Sequence, residues 1–448
     1  MTKILEHCNA ILWGAPVLVL ILGVGLYLSI RTGFPQLTLL GRAFRVFWER
    51  LRSEDASSFR ALCTALGATV GTGNLVGVAG AICMGGPGAV FWMWICGLLG
   101  MGIKYAEVLL ALRYRIKTRE GYLGGPMYNI VHGLGQKFRP LAVAYCLFGL
   151  GASFGVGNGT QVNAVISAAN RLLPLFGKEP NQGFQLLMGV LLALFVGILL
   201  FGGAKKIGTA AQILVPVAAI AYVALSAGVL MLRWRQIPDA ILSIVRGAFA
   251  PKAVTGGALG SAFLALRIGC SRGVFTNEAG MGTASIAHAS ADVSHPAEQG
   301  LMGLVEVFLD TIVICTLTAL VILVSGVPVP YGTDGGATLT VDAFSRLYGN
   351  LAPILISIML LLFAVATILG WSLYGARCAQ FLFGEHSWRW YAIVQTGLVV
   401  AASIMDGAVI WQAAEVLNGL MAIPNLITLA ALSPEIVRLT KDYKNPTQ

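Results

Sequence analysis

The chain has 448 residues, 57% of them apolar and 11% charged, where a soluble domain carries about 25% charged residues. That balance excludes a soluble globular protein, and the 55 glycines suit membrane helices, whose small residues let backbones approach closely. The net charge of +10 sits in short segments between apolar runs and forms no contiguous basic face, which excludes a nucleic-acid binder.

A helix needs about 20 apolar residues to cross the hydrocarbon, because its backbone polar groups must all be satisfied internally. Such runs occur near residues 11–30, 61–84, 88–112, 140–170, 184–202, 208–232, 258–289, 299–325, 351–382, 388–406 and 409–435. They predict an all-α polytopic membrane protein with eleven crossings. The first run lacks a small-residue cleavage site and has Lys3 as its one early positive charge, so it reads as a retained helix. After it come Arg31, Arg42, Arg45, Arg50, Arg52 and Arg60; after the third crossing come Arg113, Arg115, Lys117, Arg119, Lys137 and Arg139. Both segments are expected to be cytoplasmic, which puts the N-terminus outside and the C-terminus inside. Arg233, Arg235, Arg246 and Lys252 work against this, in an outer segment where residues 237–250 suggest a surface helix. The eight cysteines are scattered singly with no CxxC pair, so neither a disulfide framework nor a zinc site is expected.

Two crossings are interrupted by glycine and polar residues near their middles. In the second the cluster is Gly67-Ala-Thr-Val-Gly-Thr-Gly-Asn74; in the seventh it is Ser271-Arg-Gly-Val-Phe-Thr-Asn-Glu-Ala-Gly-Met-Gly282. Neither reads as one continuous helix. They hold corresponding places in two five-helix halves that start on opposite sides of the membrane, the pattern of an inverted repeat around a midplane site. The expected organisation is an accessory helix and connector (1–60), a first repeat with its connecting segment (61–257), a second repeat (258–435) and a cytoplasmic tail (436–448).

Unwound backbone inside a bilayer is tolerated where it lines a cavity or is buried in protein. Half-helix N-termini offer N–H groups to a carboxylate, and freed carbonyls suit an ammonium group or a small cation. Gly71, Thr72, Gly73 and Asn74 are candidates for the first task and Phe275, Thr276 and Asn277 for the second, so a zwitterion fits between them. Simple helix-crossing glycines are the bland alternative. Gly71-x-Gly73-x-x-x-Gly77 has the wrong spacing and context for a dinucleotide loop, and Gly203-Ala-Lys-Lys206 lacks the P-loop spacing and its Ser or Thr.

Asn158, Gln161 and Asn163 interrupt the fourth crossing. Gln161 is a candidate for the substrate or for interhelical glue, and its spacing from Asn158 puts the two on nearly one face. Thr367 and Trp371 share a face of the ninth crossing, a hydroxyl for a sodium shell and an indole to limit pocket volume, or plain packing. Intramembrane ionisable groups are functional suspects: Glu278 with Arg272 as its expected partner, Asp310 beside Thr311, and Glu107 among Lys104 and Arg113. His288 has no second His at metal spacing and is expected to be packed.

Several long motifs together carry a family resemblance. Gly71-Thr-Gly-Asn-Leu-Val-Gly-Val-Ala79, Gly85-Gly-Pro-Gly-Ala-Val-Phe-Trp-Met-Trp94, Lys104-Tyr-Ala-Glu107 and Gly124-Gly-Pro-Met-Tyr128 lie in the first part of the chain. Phe275-Thr-Asn-Glu-Ala-Gly-Met-Gly282, Ile286-Ala-His-Ala289, Gln299-Gly300 and Asp310-Thr311 follow. The sequence resembles the bacterial alanine or glycine:cation symporters over nearly its whole length. That resemblance implies a leucine-transporter-like fold of five-plus-five inverted repeats in the inner membrane. It also implies import of a small neutral amino acid driven by sodium, with membrane lipid around the protein and no enzymatic cofactor or reaction. By the resemblance Thr72, Gly73, Asn74, Gln161, Phe275, Thr276, Asn277 and Trp371 meet the substrate. By analogy with the wider fold, the carbonyls of Gly67, Val70 and Phe363 with the Thr367 hydroxyl hold sodium. Two departures stand out, Ala366-Thr367 where the family pattern has Ser-Thr and Ala376 where it has Glu. The lost hydroxyl leaves proton coupling as the alternative. A passive channel is a weaker reading because no ring-like filter motif appears, and an intramembrane enzyme lacks a nucleophile and base constellation.

Overall fold

The computed structural model describes residues 2–445 apart from 55, 119–120, 174–176, 256, 258–260, 334–335 and 406. Arg119, one of the topology residues, and position 258, where the second repeat was expected to begin, lie outside the described residues. The described chain is helical save for one small antiparallel ribbon, Ile116–Thr118 with Gly121–Leu123, in which Lys117 stands opposite Tyr122.

Among the described residues eight helical stretches are long and apolar enough to cross a membrane, or nine if the bent pair Ser57–Thr69 and Gly73–Gly85 is one span. The remaining two expected crossings are shorter. One is Ser387–Ala402, of 16 residues; the other is split into Ala262–Asn277 and Thr283–His288. The surface helix expected at 237–250 is present as Ile237–Phe249.

Packing separates helices with exposed apolar faces from helices buried in protein. On Gln182–Phe201 the exposed residues Leu187, Leu191, Leu194 and Ile198 recur at helical spacing, an apolar stripe that water would penalise and lipid would not. By contrast, Gly88–Arg113 is buried along most of its length and packs between Ala262–Asn277 and Pro296–Val307. Ala352–Phe383 is the second central rod, against Ser57–Thr69, Arg139–Phe154, Thr160–Leu172 and Gly203–Leu232. The N-terminal helix leans on the last long one, where Trp13 Nε1 donates to the Glu415 carbonyl at 2.9 Å. At the C-terminus, hydrogen bonds from Arg438 and Arg113 hold the Glu435 carboxyl below the usual range.

Both predicted interruptions are real, with a correction to the second. The first pair bends by 49°. Its helix stops at Thr69, Val70 is extended, and a wide π-turn follows at Gly73–Gly77. In the second, Ser271–Asn277 remains helical, and only residues 278–282 leave the helix. Here Glu278 takes the left-handed region at φ 53°, and Gly280 and Gly282 follow at 96° and 76°, values that a glycine adopts without steric cost. Two more π-turns, Gly155–Gly159 and Phe308–Cys315, interrupt the helices beside these breaks. Such turns redirect side chains without ending a helix.

Candidate functional site

The two broken elements meet in the middle of the protein. Gly73 lies against the second one so closely that an added Cβ would stand 3.4 Å from Thr276 Cγ2 and 3.5 Å from Phe275 Cδ1. Thr72 donates to Gln161 Oε1 at 3.1 Å, and the Gln161 amide nitrogen donates to the Val156 carbonyl, inside the π-turn Gly155–Gly159, at 3.2 Å. That π-turn also sends Asn158 elsewhere, to the Gln395 carbonyl at 3.0 Å. The two amides therefore do not share a face: Gln161 belongs to the break, and Asn158 holds helices together.

Close to Thr72 is the predicted ion group. Thr367 donates to the Gly67 carbonyl at 3.0 Å, and its Oγ1 would lie 2.7 Å from a Cβ at Gly71. Val70 caps the half-helix with its N–H on the Leu66 carbonyl, and the Phe363 ring stands edge-on to Tyr222 at 5.9 Å. Gly67 and Thr367 are thus brought into contact. That contact joins a carbonyl and a hydroxyl oxygen, the kind of hard donor a small cation prefers. Among the described residues no cluster of His, Cys, Asp or Glu has metal-binding geometry, and none of the eight cysteines is in a disulfide.

Asn74 and Asn277 reach each other through two residues of a third helix. Asn74 donates to Asp310 Oδ1 at 2.6 Å, Thr311 donates to Asp310 Oδ2 at 2.8 Å, and Asn277 donates to Thr311 Oγ1 at 3.2 Å. Each asparagine also ties its own break, Asn74 accepting from the Gly71 N–H at 2.9 Å and Asn277 from the Ala279 N–H at 3.0 Å. The Asp310-Thr311 pair was visible in sequence, yet its bridging role needed the fold.

The expected charge pairs are corrected. Arg272 pairs with Glu415 at 3.0 Å and not with Glu278. Glu278 accepts instead from the Trp371 indole at 2.7 Å and the Thr283 hydroxyl at 2.6 Å. Around Glu107, Lys104 pairs with Glu306 at 3.3 Å and Arg113 with Glu435 at 2.9 Å. Glu107 itself accepts through Oε1 from the Gly280 and Gly282 N–H groups at 2.9 and 3.0 Å, and from Asn425 at 2.7 Å. A carboxylate holding an irregular segment by its backbone leaves no periodic trace in sequence.

Trp371 is fully buried, and its backbone side presses on Gly157, where an added Cβ would overlap Trp371 Cβ. That atom belongs to the stiffest part of the indole side chain. Gly157→Ala should therefore push two helices apart and lower stability by about 1–3 kcal/mol. A thermal melt of the purified variant that matches the parent would show that the two helices do not meet there.

Two cavities approach this core from opposite ends of the first broken element. One, of about 180 Å³, is lined by Thr72, Val76, Asn163, Arg171, Leu360 and Trp411. The other, of about 250 Å³, includes Ser57, Arg60, Thr64, Ala287, Leu373 and Arg377. Between them Asn74, Gln161, Thr276, Asn277 and Trp371 are each at most 3% exposed.

Comparison with known proteins accounts for this architecture. The model of the family described as "Sodium:alanine symporter family" matches residues 1–448. The chain belongs to the sodium:alanine symporter family. It is therefore a multi-pass secondary active transporter and not an enzyme. An uncharacterized transporter of Haemophilus influenzae is 43% identical to this symporter over 98% of its chain and 96% of the relative. The sodium/alanine symporter AgcS of Methanococcus maripaludis is 41% identical over 98% and 97%. Among solved structures, MhsT in complex with L-phenylalanine superposes with a TM-score of 0.59 at 16% identity, covering 87% of this chain and 98% of that one. That likeness establishes the leucine-transporter-like fold.

Proposed function

We propose that this symporter imports a small neutral amino acid, alanine or glycine, together with sodium by alternating access. The observation that carries the reading is the contact of the two broken elements, Gly73 against Phe275 and Thr276 with Thr72 tied to Gln161. A half-helix start and a half-helix end then face a dipolar solute with N–H groups on one side and carbonyls on the other. Thr72, Gly73, Asn74 and Gln161 take the carboxylate side, Phe275, Thr276 and Asn277 the ammonium side, and Trp371 limits the size. A relative 41% identical that is named a sodium/alanine symporter supports the choice of cargo and ion.

Sodium is assigned to the carbonyls of Gly67, Val70 and Phe363 with the Thr367 hydroxyl, a reading supported by the contact between Thr367 and Gly67. The organisation proposed is an accessory helix and connector at 1–60, inverted repeats at 61–257 and 258–435, and a tail at 436–448. Eleven crossings place the N-terminus outside and the C-terminus inside the bacterial inner membrane, in contact with lipid. A proton-coupled variant is the second reading, favoured by Asp310, a fully buried carboxylate bonded to neutral donors.

Proteoliposomes loaded without sodium and given an external sodium gradient should accumulate labelled alanine or glycine, and dissipating the gradient should stop accumulation. Failure of both substrates to accumulate would remove the assignment. Accumulation driven equally by a proton gradient without sodium would replace the ion.

A further inference from the structure

A second buried polar chain joins the elements that an alternating cycle has to part. It starts at Ser58, in the half-helix that opens the first broken element, and passes through Gln299 to His288, the last residue of the half-helix that closes the second. From there it continues to Glu306 and Lys104. All five side chains are fully buried, and none belongs to the cargo or ion groups assigned above.

The hydrogen-bond pattern fixes the protonation of the imidazole. A backbone carbonyl can only accept, so the Gln299 atom 3.3 Å from the Ser58 carbonyl is the amide nitrogen. That same nitrogen lies 2.7 Å from His288 Nδ1, which must present a lone pair. The ring is then neutral, with its proton on Nε2 donated to Glu306 Oε2 at 2.9 Å. Meanwhile the Ser58 hydroxyl donates to Gln299 Oε1. One amide thus grips both the backbone and the side chain of Ser58.

We propose that His288 is a proton-binding site whose occupancy controls the grip of Gln299 on Ser58, and so the release of the first half-helix. A proton on Nδ1 turns that acceptor into a donor. Gln299 must then offer its oxygen to the ring, which points the oxygen at the Ser58 carbonyl and gives up that hydrogen bond. Neutral His288 holds the half-helix; protonated His288 loosens it.

The cavity of about 250 Å³ comes within one or two residues of the network along the chain, lined by Ser57, Ala61, Ile286 and Ala287. The charged and titratable groups around the ring set how easily the proton enters. Glu306 touches the ring directly, and Lys104 pairs with the other Glu306 oxygen. The elements packed against the His288 helix carry Glu107 on Gly88–Arg113, Tyr374 and Arg377 on Ala352–Phe383, Tyr128 on Pro126–Tyr128, and Arg60 and Cys63 on Ser57–Thr69; Glu278 is in the same broken element, and Arg115 donates to the Ala289 carbonyl next to His288.

The proposal shares with the function above only the mobility of the two half-helices, so its test uses neither cargo nor an ion gradient. An Ile286→Cys reporter in detergent-purified protein is labelled with a maleimide, and the rate at that residue is divided by the rate in the unfolded protein at the same pH. This ratio should rise about fivefold between pH 8 and pH 5.5, the worth of roughly one net hydrogen bond. His288→Gln should make it independent of pH, and Gln299→Met, which removes the grip and leaves the ring, should make it high at every pH. A pH slope retained in either variant, or a low ratio in Gln299→Met, would overturn the proposal, and should His288→Gln fail to fold, Gln299→Met alone decides it.

Discussion

Glu107→Ala should destabilise the protein by about 3–5 kcal/mol and abolish uptake, while Glu107→Gln should restore most of the stability. The reason lies in what Glu107 Oε1 accepts: the Gly280 and Gly282 N–H groups and the Asn425 amide. Asn425 has a second acceptor in the Gly280 carbonyl at 2.9 Å. The two backbone donors have no such substitute in the buried segment 278–282, and stranding a buried donor costs about 1–3 kcal/mol, more where a charged partner is lost. A glutamine oxygen occupies nearly the same place and still accepts. Thermal melts of both variants, with sodium-driven uptake alongside, check this. A parental melting temperature for Glu107→Ala would mean that the second break is held by other contacts.

Asp310→Ala is expected to lower uptake about 100-fold or more, roughly 2.7 kcal/mol of lost coupling, with a smaller effect on melting. Both of its carboxylate oxygens are in use, one toward Asn74 in the first broken element and one toward Thr311, which passes the link to Asn277 in the second. Removing the carboxylate leaves the breaks without their common tie. Asp310→Asn should stay within about tenfold of the parent, since its oxygen can take the Asn74 donor and its nitrogen can face a reoriented Thr311 hydroxyl. Parental uptake in Asp310→Ala would exclude the bridge. An Asp310→Asn variant as inactive as Asp310→Ala, with an unchanged melt, would show that the negative charge itself is what matters and would favour proton coupling.

The positions of both breaks were legible because glycine and polar residues clustered inside a long apolar run leave backbone groups that an unbroken membrane helix would have no need to free. Their extent was only half legible. Ser271–Asn277 stays helical although it looks polar, because its neighbours Gly88–Arg113 and Thr311 supply packing and a hydrogen bond that local sequence does not display. Ion pairing was the least legible feature. Arg272 finds a partner 143 residues away, and Glu278 binds an indole 93 residues away, whereas sequence reasoning joins charges that stand close along the chain. Only the shared face expected of Asn158 and Gln161 is absent, and for a different reason: a π-turn rotates the residues on either side of it, and periodicity arguments assume a regular helix.

The plug between the two cavities is made of Asn74, Gln161, Thr276, Asn277 and Trp371, residues that the proposed cargo itself would touch. On that proposal, lock and door are the same object. Selection for a tight barrier and selection for affinity then act on one set of atoms, so substitutions that widen the menu of solutes would also be those that let ions slip past unaccompanied.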